Sequence, residues 1–440
     1  MSRTRTVRVD LNPLRGFRDI LPPESEELSR LIDIFREVAE AHGYFEVKPP
    51  TLERFELFAA KSGEEIRRSM YVFKDKGGRE VALRPEATAS MARIYLRYLR
   101  AWPKPVRVYY VVNCFRYEEP QFARFREFWQ GGLEHFGTEE PWSDFEVVKV
   151  LVDFYRKLGI IDRVTLKLGS TRLYRTLFSR YGLDEEIQDR ILHLMDKKMY
   201  SEAASLIRSM KLEDLASELE RIWQSSDDPL ESARSIAELA GDERPVEELL
   251  YIVNGLRSYM PSLNLEVDVS FARGLAYYTG IIFEVTVPGF PVSIAGGGRY
   301  DALVEIYGGE RVPGTGFAIG LDRTLAALHH LGADRGRWFR ERVRVALVSL
   351  EDVGVSELAR LQDEIVESVP SVSVSLFLGG RLTKLLPRLA KQGYRYAVIV
   401  GKKELSERKV TVRDLELRKQ VVVRLEELRK LESLAELFST

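Results

Sequence analysis

Two tyrosines and an arginine in one short segment suit a site for phosphate and a small planar ligand. The segment 272–280 (ARGLAYYTG) contains Arg273, Tyr277 and Tyr278. Arginine stays charged and forms paired hydrogen bonds to phosphate or carboxylate oxygens. Tyrosine offers a flat apolar ring together with a hydroxyl that can discriminate between polar ligands. The same segment could also be a core strand with ordinary aromatic residues, so it does not identify a site by itself.

Glycine-rich stretches follow this segment. They are 296–301 (GGGRYD) and 314–323 (GTGFAIGLDR). Glycine has no Cβ, so a backbone rich in glycine can approach a ligand closely. We expect the first stretch to form a turn and the second to enter a helix at about Leu321.

Three further blocks lie upstream, at 83–88 (LRPEAT), 115–121 (FRYEEPQ) and 128–134 (FWQGGLE). Together with 272–280 and 314–323, these blocks are five motifs whose order and spacing resemble those of the histidyl-tRNA synthetases, a family of class II aminoacyl-tRNA synthetases. The first upstream block resembles the substrate loop of that family, and the other two resemble class II motif 2. The segment ending at Arg323 resembles motif 3, and that around Arg273 resembles a signature of the histidine enzymes. The resemblance covers nearly the whole chain.

The resemblance implies a reaction in two steps. ATP and L-histidine first give histidyl-adenylate and pyrophosphate, and the histidyl group then passes to the 3′ end of tRNA(His). The first step is an in-line displacement at phosphorus, which requires positioning and positive charge around the α-phosphate. Arginines and Mg²⁺ would supply that charge. The five histidines show no metal-ligand spacing, so we expect no dedicated protein metal cluster.

The nucleotide site implied by the resemblance is rich in arginine. Arg116 and Arg273 match arginines that contact the α-phosphate, and they are the expected catalytic residues. Glu118 would help to place the adenine, Phe128 would stack on it, and Arg124 would reach the β- and γ-phosphates. The complete set of expected ATP-binding residues is Arg116, Glu118, Arg124, Phe128 and Arg323.

The implied amino-acid site combines carboxylates with hydroxyl groups. Glu86 and Thr88 match the pair that receives the α-amino group, where a carboxylate suits an ammonium ion. Glu134 and Tyr278 match groups that bind imidazole, whose two nitrogens can be contacted by a carboxylate and a hydroxyl. The expected histidine-binding residues are Glu86, Thr88, Gln130, Glu134, Arg273, Tyr277 and Tyr278.

Two positions depart from the family pattern. Ala276 stands where the family usually carries aspartate, and Trp129 stands where it commonly carries histidine. Neither change removes a group assigned to phosphate or imidazole, but the first removes a carboxylate that could orient its neighbours.

The sequence predicts three domains. An α+β class II catalytic domain, an antiparallel sheet flanked by helices, would comprise residues 1–165 and 260–333. A helical insertion would occupy 166–259, since charged and apolar residues follow helical spacing from about Thr171 onward. In the family such an insertion contacts the tRNA acceptor arm; the alternative is a bundle that only braces the sheet.

The third domain would span residues 334–440. Strand and helix patterns alternate there, which predicts a small α/β domain with a mostly parallel sheet. Its position resembles that of the anticodon-binding domain. At the other end of the chain, a helix over 24–42 and the extended segment 45–50 (FEVKPP) resemble motif 1, which lies at the dimer interface of the family. We therefore expect a homodimer, although the passage could be only a helix–strand unit.

Composition adds few constraints. The 440 residues include 66 Lys and Arg against 67 Asp and Glu, so a tRNA partner would need a local basic surface. The single cysteine, Cys114, excludes an internal disulfide and is expected to be a buried structural thiol. An apolar N-terminal signal region and a membrane-length apolar run are both missing from the sequence, so we expect a cytoplasmic protein with no membrane contact.

Two other functions remain possible at this point. Some chains that resemble histidyl-tRNA synthetases do not aminoacylate and act as regulatory subunits of ATP phosphoribosyltransferase, usually without an anticodon-binding domain. The C-terminal domain, together with Arg116, Arg273 and Arg323, favours the enzyme. The remaining alternative is a non-catalytic protein that binds or senses tRNA.

Overall fold

The computed structural model describes residues 9–60, 68–224, 228–271, 278–339, 342–349, 353–369, 371–428 and 434–438. Two of the expected site residues, Arg273 and Tyr277, lie outside the described residues, as does Ala276. The chain forms two compact units, residues 1–338 and 339–440.

The described strands belong to three sheets. In chain order they are β1 (Phe45–Glu46), β2 (Leu52–Arg54), β3 (Val72–Lys74), β4 (Glu80–Leu83), β5 (Val106–Phe115), β6 (Glu127–Phe136), β7 (Thr165–Ser170), β8 (Asn264–Val267), β9 (Ile281–Thr286), β10 (Ala295–Arg299), β11 (Gly314–Gly320), β12 (Val343–Ser349), β13 (Val372–Leu378), β14 (Tyr396–Val400), β15 (Lys409–Asp414) and β16 (Gln420–Arg424).

The described α-helices of the first unit are α1 (Glu24–Ala41), α2 (Phe55–Ala59), α3 (Thr88–Ile94), α4 (Trp142–Leu158), α5 (Thr171–Arg180), α6 (Glu185–Asp196), α7 (Tyr200–Ser209), α8 (Glu213–Gln224), α9 (Pro229–Ala240), α10 (Arg244–Tyr259), α11 (Leu303–Ile306), α12 (Leu321–His330) and α13 (Arg335–Trp338). Those of the second unit are α14 (Val355–Ser368), α15 (Leu382–Lys391), α16 (Lys402–Ser406) and α17 (Leu425–Leu428).

An eight-stranded sheet forms the centre of the first unit. Its strand order is β1-β5-β6-β11-β10-β9-β7-β8. The six inner strands pair antiparallel, whereas β1 pairs parallel with β5 and β8 pairs parallel with β7. The prediction of an antiparallel sheet flanked by helices is therefore confirmed, with one parallel strand added at each edge.

The two faces of this sheet carry different side chains, because successive residues of a strand point to opposite faces. On one face, Phe35 of α1 makes edge-to-face ring contacts with Tyr109, Phe154 and Phe317, at centroid distances of 5.8–6.2 Å. The other face carries a second buried cluster, which includes Tyr110, Val112, Cys114, Phe136, Tyr278, Ile282 and Tyr300. The predicted site residues Gln130 and Glu134 belong to this second face.

The glycine-rich stretch at 296–298 is a central strand, so the expectation of a turn there is wrong. Strand β10 is fully buried between β9 and β11. A Cβ on Gly297 would lie 2.1 Å from the carbonyl oxygen of Gly316 and 2.7 Å from the Cα of Phe317. Glycine is needed here because neighbouring backbone fills the space of a side chain, and not because the chain reverses direction.

A block of six described helices, α5 to α10, separates strand β7 from strand β8 in the sequence. Each helix buries one apolar side, as shown by Leu173, Leu219 and Ile252. The helical character predicted from Thr171 to Tyr259 is thus observed. Because β7 and β8 are neighbours in the sheet, the whole block begins and ends at one sheet edge.

The passage resembling motif 1 is shorter than predicted. Helix α1 ends at Ala41, and Gly43 follows it with a φ of 78°, a backbone conformation that glycine adopts readily. The extended segment forms a strand only at Phe45–Glu46, where it pairs with β5 at the edge of the large sheet. Pro49 and Pro50 have no N–H to donate, which agrees with the early end of the strand.

The second unit contains a five-stranded sheet of order β13-β12-β14-β15-β16. Strands β12, β13 and β14 are parallel, but β15 and β16 add antiparallel pairs. The α/β character is confirmed, whereas the mostly parallel sheet holds for only the first three strands. Helices α14 and α15 provide the crossovers that parallel pairing requires, and short connections lead to β15 and β16.

Candidate active site

The loop between β5 and β6 is a hairpin held by its own backbone. The N–H of Arg116 donates to the carbonyl of Arg126 at 2.8 Å, and that of Arg124 donates to Gln121 at 2.9 Å. Arg126 is buried, donates from Nε to the Glu118 carbonyl at 3.1 Å and covers the Tyr117 ring at 3.8 Å. Arg126 therefore braces the hairpin.

One cleft collects all five residues that were expected to bind ATP. It lies where the hairpin meets the end of β11 and the start of α12, and it is lined by Arg116, Glu118, Ala123, Arg124, Phe125, Phe128, Trp129, Gly320, Asp322 and Arg323. Residues separated by about 200 positions meet here because β6 and β11 pair directly, with Gln130 opposite Gly320.

The two cleft arginines from motifs 2 and 3 are anchored through main-chain oxygens. Arg116 donates from Nε to the Pro85 carbonyl at 2.9 Å, and its guanidinium carbon lies 5.4 Å from the centre of the Phe128 ring. Arg323 donates from Nη1 to the carbonyl of Ser293 at 3.2 Å. Arg116 Nη1 also lies 3.9 Å from Glu118 Oε1, so an acidic side chain faces it in the same cleft. Arginine keeps its charge in such surroundings, and both guanidinium groups are oriented along the cleft.

Asp322 lines this cleft and Arg18 donates to it, although sequence reasoning assigned a role to neither. Asp322 accepts the main-chain N–H of Trp129 at 2.5 Å and the Nη2 of Arg18 at 2.9 Å. Arg18 also pairs with Glu24 and lies 4.1 Å above the Phe125 ring. Burial raises the pKa of Asp322, against the opposing effect of these hydrogen bonds. Asp322 bonds to the main-chain N–H of Trp129, so this contact does not depend on the histidine that the family commonly carries at position 129.

A row of glycines makes room for polar side chains on the same sheet face. Glu134 of β6 lies opposite Gly316 of β11, which lies opposite Gly298 of β10. A Cβ on Gly316 would lie 2.5 Å from Glu134 Oε2 and 2.4 Å from the Tyr300 hydroxyl. Larger residues at Gly316 would therefore displace the carboxylate from its buried place above the sheet.

Tyr110 joins the predicted polar groups of this pocket. Its hydroxyl lies 2.2 Å from the position of a Cβ on Gly132 and donates to Gln130 Oε1 at 3.5 Å. Burial raises the pKa of Tyr110 well above its usual value, and the charges of Glu134 and Glu86 add to the rise. Tyr110 therefore stays protonated and lies close enough to both carboxylates to sense their charge. Sequence reasoning missed this residue.

Cys114 is fully buried beside the same pocket, which confirms the expectation of a buried thiol. Its sulfur lies 3.6 Å from Gln130 Oε1. Burial raises the pKa of the Cys114 thiol to about 12. It is therefore not a thiolate nucleophile at neutral pH.

Glu86 and Thr88 meet at the start of helix α3. The carboxylate of Glu86 accepts the N–H of Thr88 at 2.6 Å and that of Ala89 at 3.1 Å. These two bonds orient the carboxylate at the start of helix α3. Arg84 holds this segment in place by donating hydrogen bonds to the carbonyl of Pro49 and to the carbonyl and side-chain oxygens of Asn113.

Tyr278 is the first described residue after the segment that contains Arg273. It is buried on the pocket face, and its ring centre lies 6.5 Å from that of Tyr300. The structure thus brings Gln130, Glu134 and Tyr278 onto one face, with Glu86 close enough to influence Tyr110. The expected roles of Arg273 and Tyr277 fall outside the described residues.

Among the residues that the structure describes, no group of three His, Cys, Asp or Glu side chains is arranged to hold a metal ion. None of the helices in the described part of the chain has the length and apolar character needed to cross a membrane.

Comparison with known proteins identifies the family. The family description "Histidyl-tRNA synthetase" matches residues 16–324, and "Anticodon binding domain" matches residues 344–431. The chain belongs to the histidyl-tRNA synthetase family. The members of this family are aminoacyl-tRNA ligases that use ATP as a substrate.

Individual relatives support this assignment over almost the full length. A protein of Saccharolobus islandicus named histidine–tRNA ligase is 39% identical over 420 residues, which cover 94% of this chain and 97% of the relative. The solved histidyl-tRNA synthetase of Nostoc has a TM-score of 0.78 at 22% identity, covering 96% of this chain and all of that chain. The apo enzyme of S. aureus has a TM-score of 0.70 at 25% identity, covering 96% and 99%.

Proposed function

We propose that this chain is a histidine–tRNA ligase, which activates L-histidine with ATP and transfers it to the 3′ end of tRNA(His). The observation that carries the proposal is that the arginine-rich cleft and the buried carboxylate of Glu134 lie on one face of the large sheet. Gly320 lines the arginine-rich cleft, and Gly316, four residues earlier on β11, lies beneath Glu134. The strand rise gives a separation of about 13 Å along β11, which suits an amino acid beside a nucleotide.

The first step needs orientation and charge more than proton transfer. The carboxylate of histidine is already ionised at neutral pH, so its oxygen can attack the α-phosphorus directly. The bond from that phosphorus to the bridging oxygen breaks, and pyrophosphate leaves. Arg116 and Arg273 are proposed to stabilise the charge that develops at the α-phosphate, which is the contribution expected of preorganised donors.

The remaining cleft residues are proposed to position ATP. Phe128 would stack on the adenine, with Glu118 beside it, and Arg323 would hold the other side of the nucleotide. Arg124 is exposed on the hairpin, so it can reach the β- and γ-phosphates. The support for this arrangement is that these four side chains and Arg116 already line one cleft.

The amino-acid subsite is proposed to use Glu86 and Thr88 for the α-amino group and Gln130 as a further neighbour. Glu134 and Tyr278 would bind the two imidazole nitrogens, with Tyr277 in the same pocket. A buried carboxylate that accepts one imidazole N–H leaves the other nitrogen for a hydroxyl donor. This pairing distinguishes histidine from apolar residues of similar size, because an unsatisfied buried polar group costs roughly 1–3 kcal/mol.

Mg²⁺ is proposed to enter with ATP. Phosphate oxygens and water would be its main ligands. When bound there, it would neutralise phosphate charge.

The proposed domains follow the predicted boundaries: 1–165 and 260–333 for catalysis, 166–259 for the insertion, and 334–440 for anticodon binding. Charge is unevenly distributed among them. Residues 166–259 contain 13 Lys and Arg against 18 Asp and Glu, whereas residues 334–440 contain 21 against 16. A basic C-terminal domain suits a phosphate backbone, and the acidic insertion limits direct phosphate contact to local positions.

Helix α15 offers a specific tRNA surface in the C-terminal domain. Lys384, Arg388 and Lys391 are exposed and spaced by four and three residues, so they lie on one side of the helix. We propose that this side contacts the tRNA backbone, that the protein is a homodimer through the β1 edge, and that it functions in the cytoplasm.

The regulatory-subunit alternative is not favoured. It usually lacks an anticodon-binding domain, whereas residues 344–431 match one. A regulator would also have no need for Arg116 and Arg323 in the same cleft as Phe128.

ATP–pyrophosphate exchange with each of the twenty amino acids tests the proposal. We expect exchange with L-histidine alone, and we expect it to be strongly reduced in Glu134→Gln. Glu220→Gln, which alters an ion-paired glutamate of helix α8, serves as the matched control. Histidine binding without any exchange would contradict the ligase proposal and favour the regulator.

A further inference from the structure

Three consecutive main-chain carbonyls beside the amino-acid subsite are held by the first turn of helix α5. The hydroxyl of Thr171 is shared as donor between two carbonyl oxygens, that of Tyr278 at 3.2 Å and that of Gly280 at 3.1 Å. The N–H of Thr171 donates to the Gly280 carbonyl at 3.0 Å. Thr171 is buried, so these bonds are shielded from water. The strand that leaves the pocket is therefore fixed by the first helix of the inserted block.

Two arginines of α5 add side-chain donors to the same strand. Arg172 donates from Nε to the carbonyl of Thr279 at 3.2 Å, and Arg175 donates from Nε to the carbonyl of Tyr278 at 3.3 Å. They are three residues apart, so they lie on the same side of the helix. Their side chains are 27% and 20% exposed, which places both bonds in a half-buried environment where they are stronger than at the surface.

The same two guanidinium groups are tied to other inserted helices. Arg175 Nη2 lies 2.8 Å from Asp189 Oδ1 of α6, and Arg172 Nη1 pairs with Glu248 of α10. Arg172 also contacts Asp301 at 3.3 Å, one residue after Tyr300. Each arginine therefore joins a carboxylate of the inserted block to a main-chain carbonyl next to the pocket.

We propose that Arg172 and Arg175 are positioning residues for the amino-acid subsite, through which the packing of the inserted helices sets the position of Tyr278. This inference rests on the proposed function, because it assigns Tyr278 to histidine. Neither arginine needs to touch the substrate. Their effect follows from geometry, since displacement of the 278–280 carbonyls moves the ring that contacts imidazole.

Glu248 provides the sharpest test, because it contacts Arg172 from a helix that carries none of the proposed ligand-binding residues. We expect Arg172→Gln to raise the KM for histidine in ATP–pyrophosphate exchange by about tenfold, which corresponds to about 1.4 kcal/mol, the size of one hydrogen bond to a charged group. Glu248→Gln should raise it by a few fold. The KM for ATP should stay within about twofold in both variants, since the arginine cleft is not altered.

Three further variants separate positioning from simple stabilisation. Arg208→Gln removes an arginine that pairs with Glu220 inside the inserted block, and it should leave the KM for histidine unchanged even if it lowers the melting temperature. Arg172→Lys keeps the charge but cannot reach three partners, so its KM should be intermediate. The double variant R172Q/E248Q should resemble Arg172→Gln alone, because both changes break one linkage.

This inference is overturned if Arg172→Gln and Glu248→Gln both fold and keep the histidine KM of the unaltered chain. The proposed function stays intact in that case, provided that the unaltered chain shows normal exchange. An equal rise of the KM for ATP and for histidine would also overturn it, since that pattern indicates general distortion. If Arg172→Gln does not fold, the KM of Glu248→Gln decides the matter. Absence of histidine-dependent exchange in the unaltered chain would overturn the proposed function and the inference together.

Discussion

Glu134 and Tyr300 share the space above Gly316. The Glu134 Oε2 and the Tyr300 hydroxyl lie 2.5 and 2.4 Å from the position that a Cβ on this glycine would occupy. Glu134 is 1% exposed and Tyr300 is 3% exposed, so both polar groups are inside the protein. The carboxylate proposed to bind imidazole thus lies over Gly316 of the neighbouring strand β11, in the same space as the hydroxyl of Tyr300, the residue after β10.

The first prediction concerns Tyr300. Tyr300→Phe removes only the hydroxyl that shares the space above Gly316 with Glu134, so the protein should fold while Glu134 loses a polar neighbour. We expect the KM for histidine to rise by a few fold, because loss of the hydroxyl leaves space beside the buried carboxylate into which it can shift. Steady-state exchange measures this. Tyr200→Phe, which removes a hydroxyl bonded to Ser270, should have no such effect, and equal KM values in the two variants would refute the prediction.

The second prediction separates Arg116 from Arg126. Arg116→Ala should lower kcat for histidyl-adenylate formation by about 10²–10³, because a preorganised charge at the reacting phosphate is lost. Arg126→Ala should instead lower the melting temperature, because Arg126 is buried against Tyr117 and the Glu118 carbonyl. Single-turnover adenylate formation and thermal unfolding distinguish the two. A normal kcat in Arg116→Ala would remove this arginine from the proposed chemistry.

The third prediction concerns the edge of the large sheet. Phe45 on the edge strand β1 is 64% exposed, and its ring contacts the 44% exposed Trp102 at 6.3 Å. An exposed aromatic pair on a short edge strand is typical of an interface. Phe45→Glu should halve the mass measured by light scattering. Val422→Glu, a similar change on an exposed strand residue of the second unit, should keep the dimer. Identical masses for these two variants would contradict the β1-edge interface.

The fourth prediction concerns pH. His42 Nε2 lies 3.0 Å from Asp153 Oδ2 and 3.0 Å from Lys149 Nζ, while Tyr259 and Arg156 also contact Asp153. The hydrogen bond to Asp153 raises the pKa of His42, despite partial burial and the charge of Lys149. A raised folded-state pKa stabilises the protein below the unfolded value of about 6.5, and this contribution disappears as pH rises through the folded pKa.

His42→Gln should therefore lower the melting temperature more at pH 5.5 than at pH 9, when both chains are compared in the same buffers. The pKa of Asp153 is lowered: burial alone would raise it, but hydrogen bonds to His42, Lys149 and Tyr259 outweigh burial. The stabilisation that Asp153 contributes is therefore present above about pH 3.9 and does not change between pH 5.5 and pH 9. A difference between the two chains that is larger at pH 9 would contradict the assignment.

Periodicity was sufficient to predict the long elements. Helix α1 begins at the predicted residue 24, and six helices follow from about Thr171 as predicted, because apolar residues recur there at helical spacing. Strand β10 was not predicted as a strand, since a run of glycines looks locally like a turn. Only the neighbouring backbone of β11 explains why side chains are excluded there. The small sheet β2–β4–β3 was also missed, because strands of three or four residues carry little periodicity.

The site was predictable where a motif carried it. Arg116, Glu118, Arg124, Phe128 and Arg323 were assigned from the resemblance, and they line one cleft. Tyr110, Tyr300, Asp322 and Arg18 were not assigned, because their places depend on which strands pair and in which register. Tyr300 and Glu134 both approach Gly316 only because β11 lies between β6 and β10, an order that no local pattern encodes.

The most direct test of the account is transfer of radiolabelled L-histidine to tRNA(His) by the purified chain, with Glu134→Gln and Glu220→Gln assayed in parallel. The account predicts acid-precipitable histidyl-tRNA from the unaltered chain and from Glu220→Gln, with strongly reduced charging by Glu134→Gln. No charging of tRNA(His) from the source organism at its growth temperature, or undiminished charging by Glu134→Gln, would contradict the account.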